Sequence, residues 1–217
     1  METLLIIDEL HADFAPKAGK YASVVYVRDI EAGKYGTIVL PFVPDTATLE
    51  NYAFYALVGS GDGYVDFEEE TEPAANTPYL FALREGKENV PMSGGETVID
   101  SVAKTVSVGD WDFVGSFTNH DIDTSTGNYY AYSSVNNEVN RITEQHAVLP
   151  YRAYFNVKDE TNSSLRVYIN GTTGVVEIAA TDIEGLGDGI VYDVYGRRVI
   201  KPVKGGIYIK DGKKIVF

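Results

Sequence analysis

Short stretches in which apolar and polar residues alternate recur along the whole chain. After a brief apolar strand at Leu4 to Ile7, an irregular segment ends at Pro16 and Gly19. From Ala22 the alternation becomes regular: "ASVVYVRDI", a turn at "EAGKYG", then "TIVLPF" closed by Pro41 and Pro44. "ENYAFYALVG" and "YVDFEEE" flank an Asp62-Gly63 turn, a strong hairpin signal because both residues tolerate positive φ. A loop at "TEPAANTP" leads to "YLFALRE", followed by "ETVIDSV", "KTVSVGDW", "DFVGSF", "NYYAYSS", "EVNRIT" and "YRAYFNV". Turn signals at intervals of roughly 8–12 residues mark a sandwich or barrel. One stretch, "TATLENYAFYAL", has apolar residues at the helical positions Leu49, Tyr52 and Tyr55, but the strand reading is preferred there.

The predicted class is therefore all-β. An antiparallel β-sandwich over 1–158 is followed by a small C-terminal β domain over 159–217, with the boundary at the polar stretch "KDETNSS". That second part starts with "LRVYIN", an Asn170-Gly171 turn, "GVVEIAA" and the Gly-rich "EGLGDG". It ends on "GIVYDVYG", with Ile190, Tyr192 and Val194 on one face, on "RRVIKPV", and on a hairpin about Asp211-Gly212. In that hairpin Ile207 and Ile209 are expected to oppose Ile215 and Phe217. Arg197, Arg198, Lys201, Lys204, Lys210, Lys213 and Lys214 make the ending basic, a device that also protects an exposed sheet edge from pairing.

Composition narrows the function classes. Thirty-two acidic residues against 18 basic ones give a formal charge of −14, a field that repels nucleic-acid phosphates and anionic membrane surfaces. There are no cysteines, which removes disulfides, thiol catalysis and zinc sites built on thiolates. No apolar run reaches the ~18–20 residues of a membrane span. The start, "METLLIIDEL", lacks a basic region and a long enough apolar core for a secretory signal, so for an exported protein the signal is expected to have been removed.

Signatures of catalysis are sparse. His11, His120 and His146 have no short mutual spacing, and no HExxH, GxSxG or P-loop is present. The acidic run "DFEEE" at 66–70 offers carboxylates for glycoside hydrolysis, although such a run is usually a solvated loop. In "NHDIDTSTGN" Asp121, Asp123 and Ser125 alternate as calcium ligands do. The sixth and twelfth positions of an EF-hand loop would then be Thr126 and Tyr132, neither of which fits, and an Asx-rich turn is preferred. Trp111, Tyr130 and Tyr132 are candidates for a flat platform that stacks sugar rings, with Tyr129 on the other face of its strand; a role in the core is the preferred reading.

The ending "VYDVYGRRVIKPVKGGIYIKDGKKIVF" resembles the C-terminal segments of secreted and surface proteins of Bacteroidetes, in the style of type IX secretion sorting domains. Gly196, Arg197, Lys204, Gly206, Tyr208, Gly212 and Lys213 match that pattern, although the segment is shorter before its final strand and closes on Phe217. "VVYVRDIEAGKYGTIVLPF", "WDFVGSF" and "LPYRAYFNV" are similar to a repeated β module of gut Bacteroidales surface proteins, one that precedes the same kind of tail. Neither resemblance implies an enzymatic activity, and the expected role is a non-enzymatic, exported or cell-surface interaction or spacer module, with no cofactor expected. Its tail would be read by export machinery, and its ligand would be a glycan or a surface protein. The alternatives are a carbohydrate-binding module and, third, a hydrolase with an unrecognised site.

Overall fold

A computed structural model of the chain describes residues 5–8, 16–61, 63–158, 163–170, 172–173, 191–193, 198–199, 207–210 and 213–216. The described residues are all-β apart from one short helix. Two compact units divide the chain, Met1–Gly171 and Thr172–Phe217.

The first unit contains β1 (Leu5–Asp8), β2 (Gly19–Tyr21), β3 (Val24–Val27), β4 (Tyr35–Val39), α1 (Thr46–Asn51), β5 (Tyr52–Gly61), β6 (Tyr64–Glu70), β7 (Pro78–Leu83) and β8 (Met92–Gly94). It continues with β9 (Thr97–Ile99), β10 (Thr105–Val108), β11 (Trp111–Ser116), β12 (His120–Ile122), β13 (Asn128–Ser133), β14 (Glu138–Arg141), β15 (His146–Val148), β16 (Arg152–Val157) and β17 (Ser164–Ile169). Ten of these strands follow one hydrogen-bonded path, β10-β11-β16-β13-β14-β17-β6-β5-β7-β4. Three small sheets, β1-β3-β8, β2-β9 and β12-β15, accompany it.

The long sheet curls, and one large buried cluster draws on strands all along its path. Its last strand reaches back to β16: the Val39 amide donates to the Tyr151 carbonyl at 3.2 Å, and the Ala153 amide donates to Thr37 Oγ1 at 3.1 Å. The body is thus built on one continuous curled sheet rather than on two separate ones. Among the registers given by the described residues, pairing is antiparallel except where β17 runs parallel to β6 and β1 runs parallel to β3.

Alternation in the sequence maps directly onto this curl. In β6, Val65 and Phe67 are buried while Tyr64 and Glu68 are exposed, so "DFEEE" belongs to a strand and not to a solvated loop. β7, "PYLFAL", is buried over five consecutive residues, as expected for a strand covered on both faces. Phe113 and Phe155 stack at 4.5 Å between ring centroids, and Phe67 meets them edge-on at 5.7 and 6.4 Å.

Two expectations change. "TATLENYAFYAL" divides into helix and strand: α1 ends at Asn51 and β5 begins at Tyr52. The helix starts where Asp45 caps it, Oδ1 accepting from the Thr48 amide at 2.9 Å, while Oδ2 accepts from the Ser93 hydroxyl at 2.7 Å. Partial burial raises the Asp45 carboxyl, but the bonds from Thr48, Ser93 and Ala47 outweigh it and hold the group below its ordinary 3.8. Asp45→Ala should therefore cost about 1–2 kcal/mol in urea unfolding at neutral pH. Because the folded-state value is the lower one, this contribution is complete above the unfolded value and is lost as pH falls through the folded value. The difference between wild type and variant should shrink at acid pH; a constant difference would contradict the capping role.

The second change is the boundary. "LRVYIN" was expected to open the C-terminal domain, but as β17 it lies inside the long sheet, between β14 and β6. Its Leu165, Val167 and Ile169 are buried in the core of the first unit, and the division falls after Gly171. The polar stretch at 158–164 thus falls between two strands of the body, β16 and β17.

The second unit holds β18 (Thr172–Thr173), β19 (Val191–Asp193), β20 (Arg198–Val199), β21 (Ile207–Lys210) and β22 (Lys213–Val216). The last four form their own antiparallel sheet in the order β20-β19-β21-β22. Lys210 pairs with Lys213, which sets Tyr208 opposite Ile215, Ile207 opposite Val216 and Ile209 opposite Lys214. The expected pairing of Ile207 and Ile209 with Ile215 and Phe217 is thus displaced by one residue, and Phe217 lies outside the described residues.

Candidate functional site

A cavity of about 390 Å³ opens in the first unit beside the start of β4. Its walls come from the β3–β4 connection, β4, the end of β13, β15 and the first residues of β16. The "EAGKYG" segment shapes one rim. Gly33 takes φ +76°, the Lys34 amide donates to the Glu31 carbonyl at 3.0 Å, and Asn89 brackets the backbone of Ile30 with bonds of 3.0 and 2.9 Å.

Two arginines line this space. Arg28 leaves the end of β3, its guanidinium carbon 4.6 Å from the centroid of the Phe81 ring and Nη1 donating to the Thr37 carbonyl at 2.6 Å. A side chain at position 36 would obstruct that arrangement, since a Cβ there would lie 2.8 Å from Arg28 Nη2 and 3.1 Å from Phe81 Cε1. Burial lowers Arg28 to about 10, against the opposing effect of the neighbouring Tyr26 hydroxyl. Arg152, the first residue of β16, is lowered by burial to about 10 as well. Both remain cations at neutral pH.

Aromatic hydroxyls complete the lining. Tyr35 stands edge-on to Tyr55 at 5.6 Å, and Tyr132 donates to Asn137 Oδ1 at 2.8 Å. Burial raises the Tyr132 hydroxyl above its ordinary value, and the nearby Tyr35 adds to this; Tyr55 is pushed up to about 12, chiefly by burial. The Tyr132 and Tyr55 hydroxyls are neutral donors and acceptors at any physiological pH. Lys34 and His146 add a second tier of basic groups, with Asp29 and Glu31 exposed at the edge.

The aromatic platform does not assemble. Trp111 and Tyr130 are core residues, 4% and 0% exposed, with ring centroids 5.5 Å apart, so neither offers a face to a sugar. Tyr132 alone of the three lines the cavity. The expected separation of faces holds: Tyr129 turns to a smaller cluster with Ile122, Val148 and Tyr154.

The histidines also separate. His120 stacks on Tyr154 at 5.3 Å with Nε2 3.3 Å from its hydroxyl, His146 lies on the cavity wall, and His11 is outside the described residues. Asp123 makes the preferred Asx turn, Oδ1 accepting from the Ser125 amide at 2.9 Å and its hydroxyl at 2.6 Å, which hold the carboxyl below its usual range. Asp121 lies in β12, opposite Ala147. Among the described residues no three His, Asp or Glu gather as a metal site.

Of the sorting-like residues, Tyr208 is buried in β21 and Lys213 opens β22, while Gly196, Arg197, Lys204, Gly206 and Gly212 lie outside the described residues. Arg28 and Arg152 escaped the sequence reading. Each is a charge at the end of an apolar strand, "VVYVRD" and "YRAYFNV", which is the available signal; their convergence depends on the curl. Among the described residues no helix is long and apolar enough to cross a membrane. The chain matches no family model, no curated protein and no solved structure.

Proposed function

We propose that the chain is a non-enzymatic interaction module of an exported or cell-surface protein, and that its C-terminal unit is the address read by a type IX-style export apparatus. The observation that carries this reading is that β19 to β22 make an antiparallel sheet of their own within the compact unit 172–217. A small folded sheet is an element that a receptor can recognise. The basic residues on its strands, among them Arg198, Lys210 and Lys213, contrast with the acidic body and give a receptor an electrostatic handle.

The full chain and a version ending at residue 171 should be placed behind the same signal peptide in a host that carries the apparatus. The full chain should be recovered outside the cell or on its surface, and the shortened one should remain in the periplasm in protease-resistant form. Recovery of both in the same compartment would remove the address reading. For the body, a binding role is favoured by the basic cavity rather than by an aromatic platform, because the rings proposed for a platform lie in the core.

A further inference from the structure

We infer that the cavity beside β4 binds a small organic carboxylate, its acid group held by the guanidinium groups of Arg28 and Arg152 and its uncharged body lying along Tyr35 and Tyr132. This deepens the reading of the body as a binding module and rests on it, while remaining independent of the tail.

Three observations converge. The first is charge. In a chain of net charge −14, the cavity is lined by Arg28, Lys34 and Arg152, and the two acidic residues beside them, Asp29 and Glu31, are exposed while both arginines are half-buried. The inner wall is thus basic against the trend of the molecule. A recess lined by one sign of charge concentrates ligands of the other sign.

The second is construction. Arg28 lies over the Phe81 ring, anchored on the Thr37 carbonyl, in space that exists because residue 36 has no side chain. Burial disfavours a guanidinium, as the lowered values of both arginines show, and an arriving anion offsets that cost. A planar guanidinium matches a carboxylate with two parallel hydrogen bonds.

The third is size and lining. About 390 Å³ lies within the range of small-molecule clefts, roughly 300–1,000 Å³. Tyr35, Tyr132 and Ser134 beside the arginines supply ring faces and hydroxyls for an organic body, which a bare inorganic oxyanion would leave unused.

The test is a titration of the isotope-labelled full chain, followed by amide NMR, with D-glucuronate, D-galacturonate and benzoate. D-glucose and sodium sulfate at matched ionic strength serve as comparisons. At least one carboxylate should give saturable shifts around residues 28–37 and 131–153, with glucose silent and sulfate markedly weaker. Arg152→Gln and Gly36→Ala should each weaken that binding about tenfold or more. Gly36→Ala keeps both charges and disturbs only the flexible end of Arg28 and the edge of Phe81, so it keeps the test open should the arginine variant fail to fold. Arg166→Gln, an exposed residue of β17, should bind like wild type. No saturable binding of any of the three carboxylates overturns the assignment. So does an equal response to glucose or sulfate, or unchanged affinity in the folded cavity variants. Failure of secretion would leave this titration untouched, and failure of the titration would leave the address reading standing.

Discussion

Replacing Phe155 by Ala is expected to lower the stability of the body by about 3–5 kcal/mol, the range for deleting a buried aromatic side chain. Phe155 is fully buried in β16, and its register partners are Phe113 in β11 and Tyr130 in β13. It stacks on Phe113 with an interplanar angle of 13° and receives the edges of Phe67 at 6.4 Å and Trp111 at 5.8 Å. Two of these three ring neighbours sit on the adjoining strand β11 and the third on β6, so each is held in a paired strand. Such a site collapses poorly around a cavity, which puts the cost toward the upper end of the range. Urea unfolding should show a lower midpoint with little change in slope. Val135→Ala, at a residue 88% exposed in a turn, should stay within about 0.5 kcal/mol of wild type. A loss at Phe155 as small as that at Val135 would mean that the stack is not part of the folded core.

Why the sequence discloses that core and yet hides the cavity follows from what alternation reports. Period-two patterning tells which residues of a strand share a face, and in β6, β13 and β17 it separates the inward from the outward set as observed. It says nothing about which distant strand that face will meet. The preference for Trp111 and Tyr130 as core residues succeeded because a curled sheet needs bulky rings inside, and the platform failed for the same reason. The three-residue strands β2, β8, β12 and β15 are too short to show any period, so they were not anticipated. Helix α1 was obscured because its single cap, Asp45, precedes only six helical residues before the β5 pattern takes over. Arg28 follows β3 and Arg152 opens β16, far apart in the chain, and they line one cavity where β4 approaches β16 at Thr37 and Ala153.

The same limitation governs the domain boundary, where the consequence is large enough to test by cutting the chain. Polar "KDETNSS" looks like a linker, since composition cannot distinguish a connection between domains from one between strands of a single sheet. A chain ending at residue 158 loses β17 and with it Leu165, Val167 and Ile169, each buried to 6% exposure or less. At about 1.5–3 kcal/mol for each large aliphatic side chain, the lost burial alone approaches the whole stability of an ordinary domain, roughly 5–15 kcal/mol. The damage goes further, because β17 joins β14 to β6; its removal cuts the long sheet in the middle and leaves two unpaired edges. The chain ending at 158 should therefore lack a cooperative unfolding transition and aggregate, whereas one ending at 171 should unfold in a single step with near-native near-UV circular dichroism. Val167→Asp in the full chain should reproduce the first result without any truncation, by placing a carboxylate at a position 2% exposed. If the 158-residue piece unfolds cooperatively at the same denaturant concentration as the 171-residue piece, β17 contributes nothing to the body, and the long sheet ends at β14 on one side and β6 on the other.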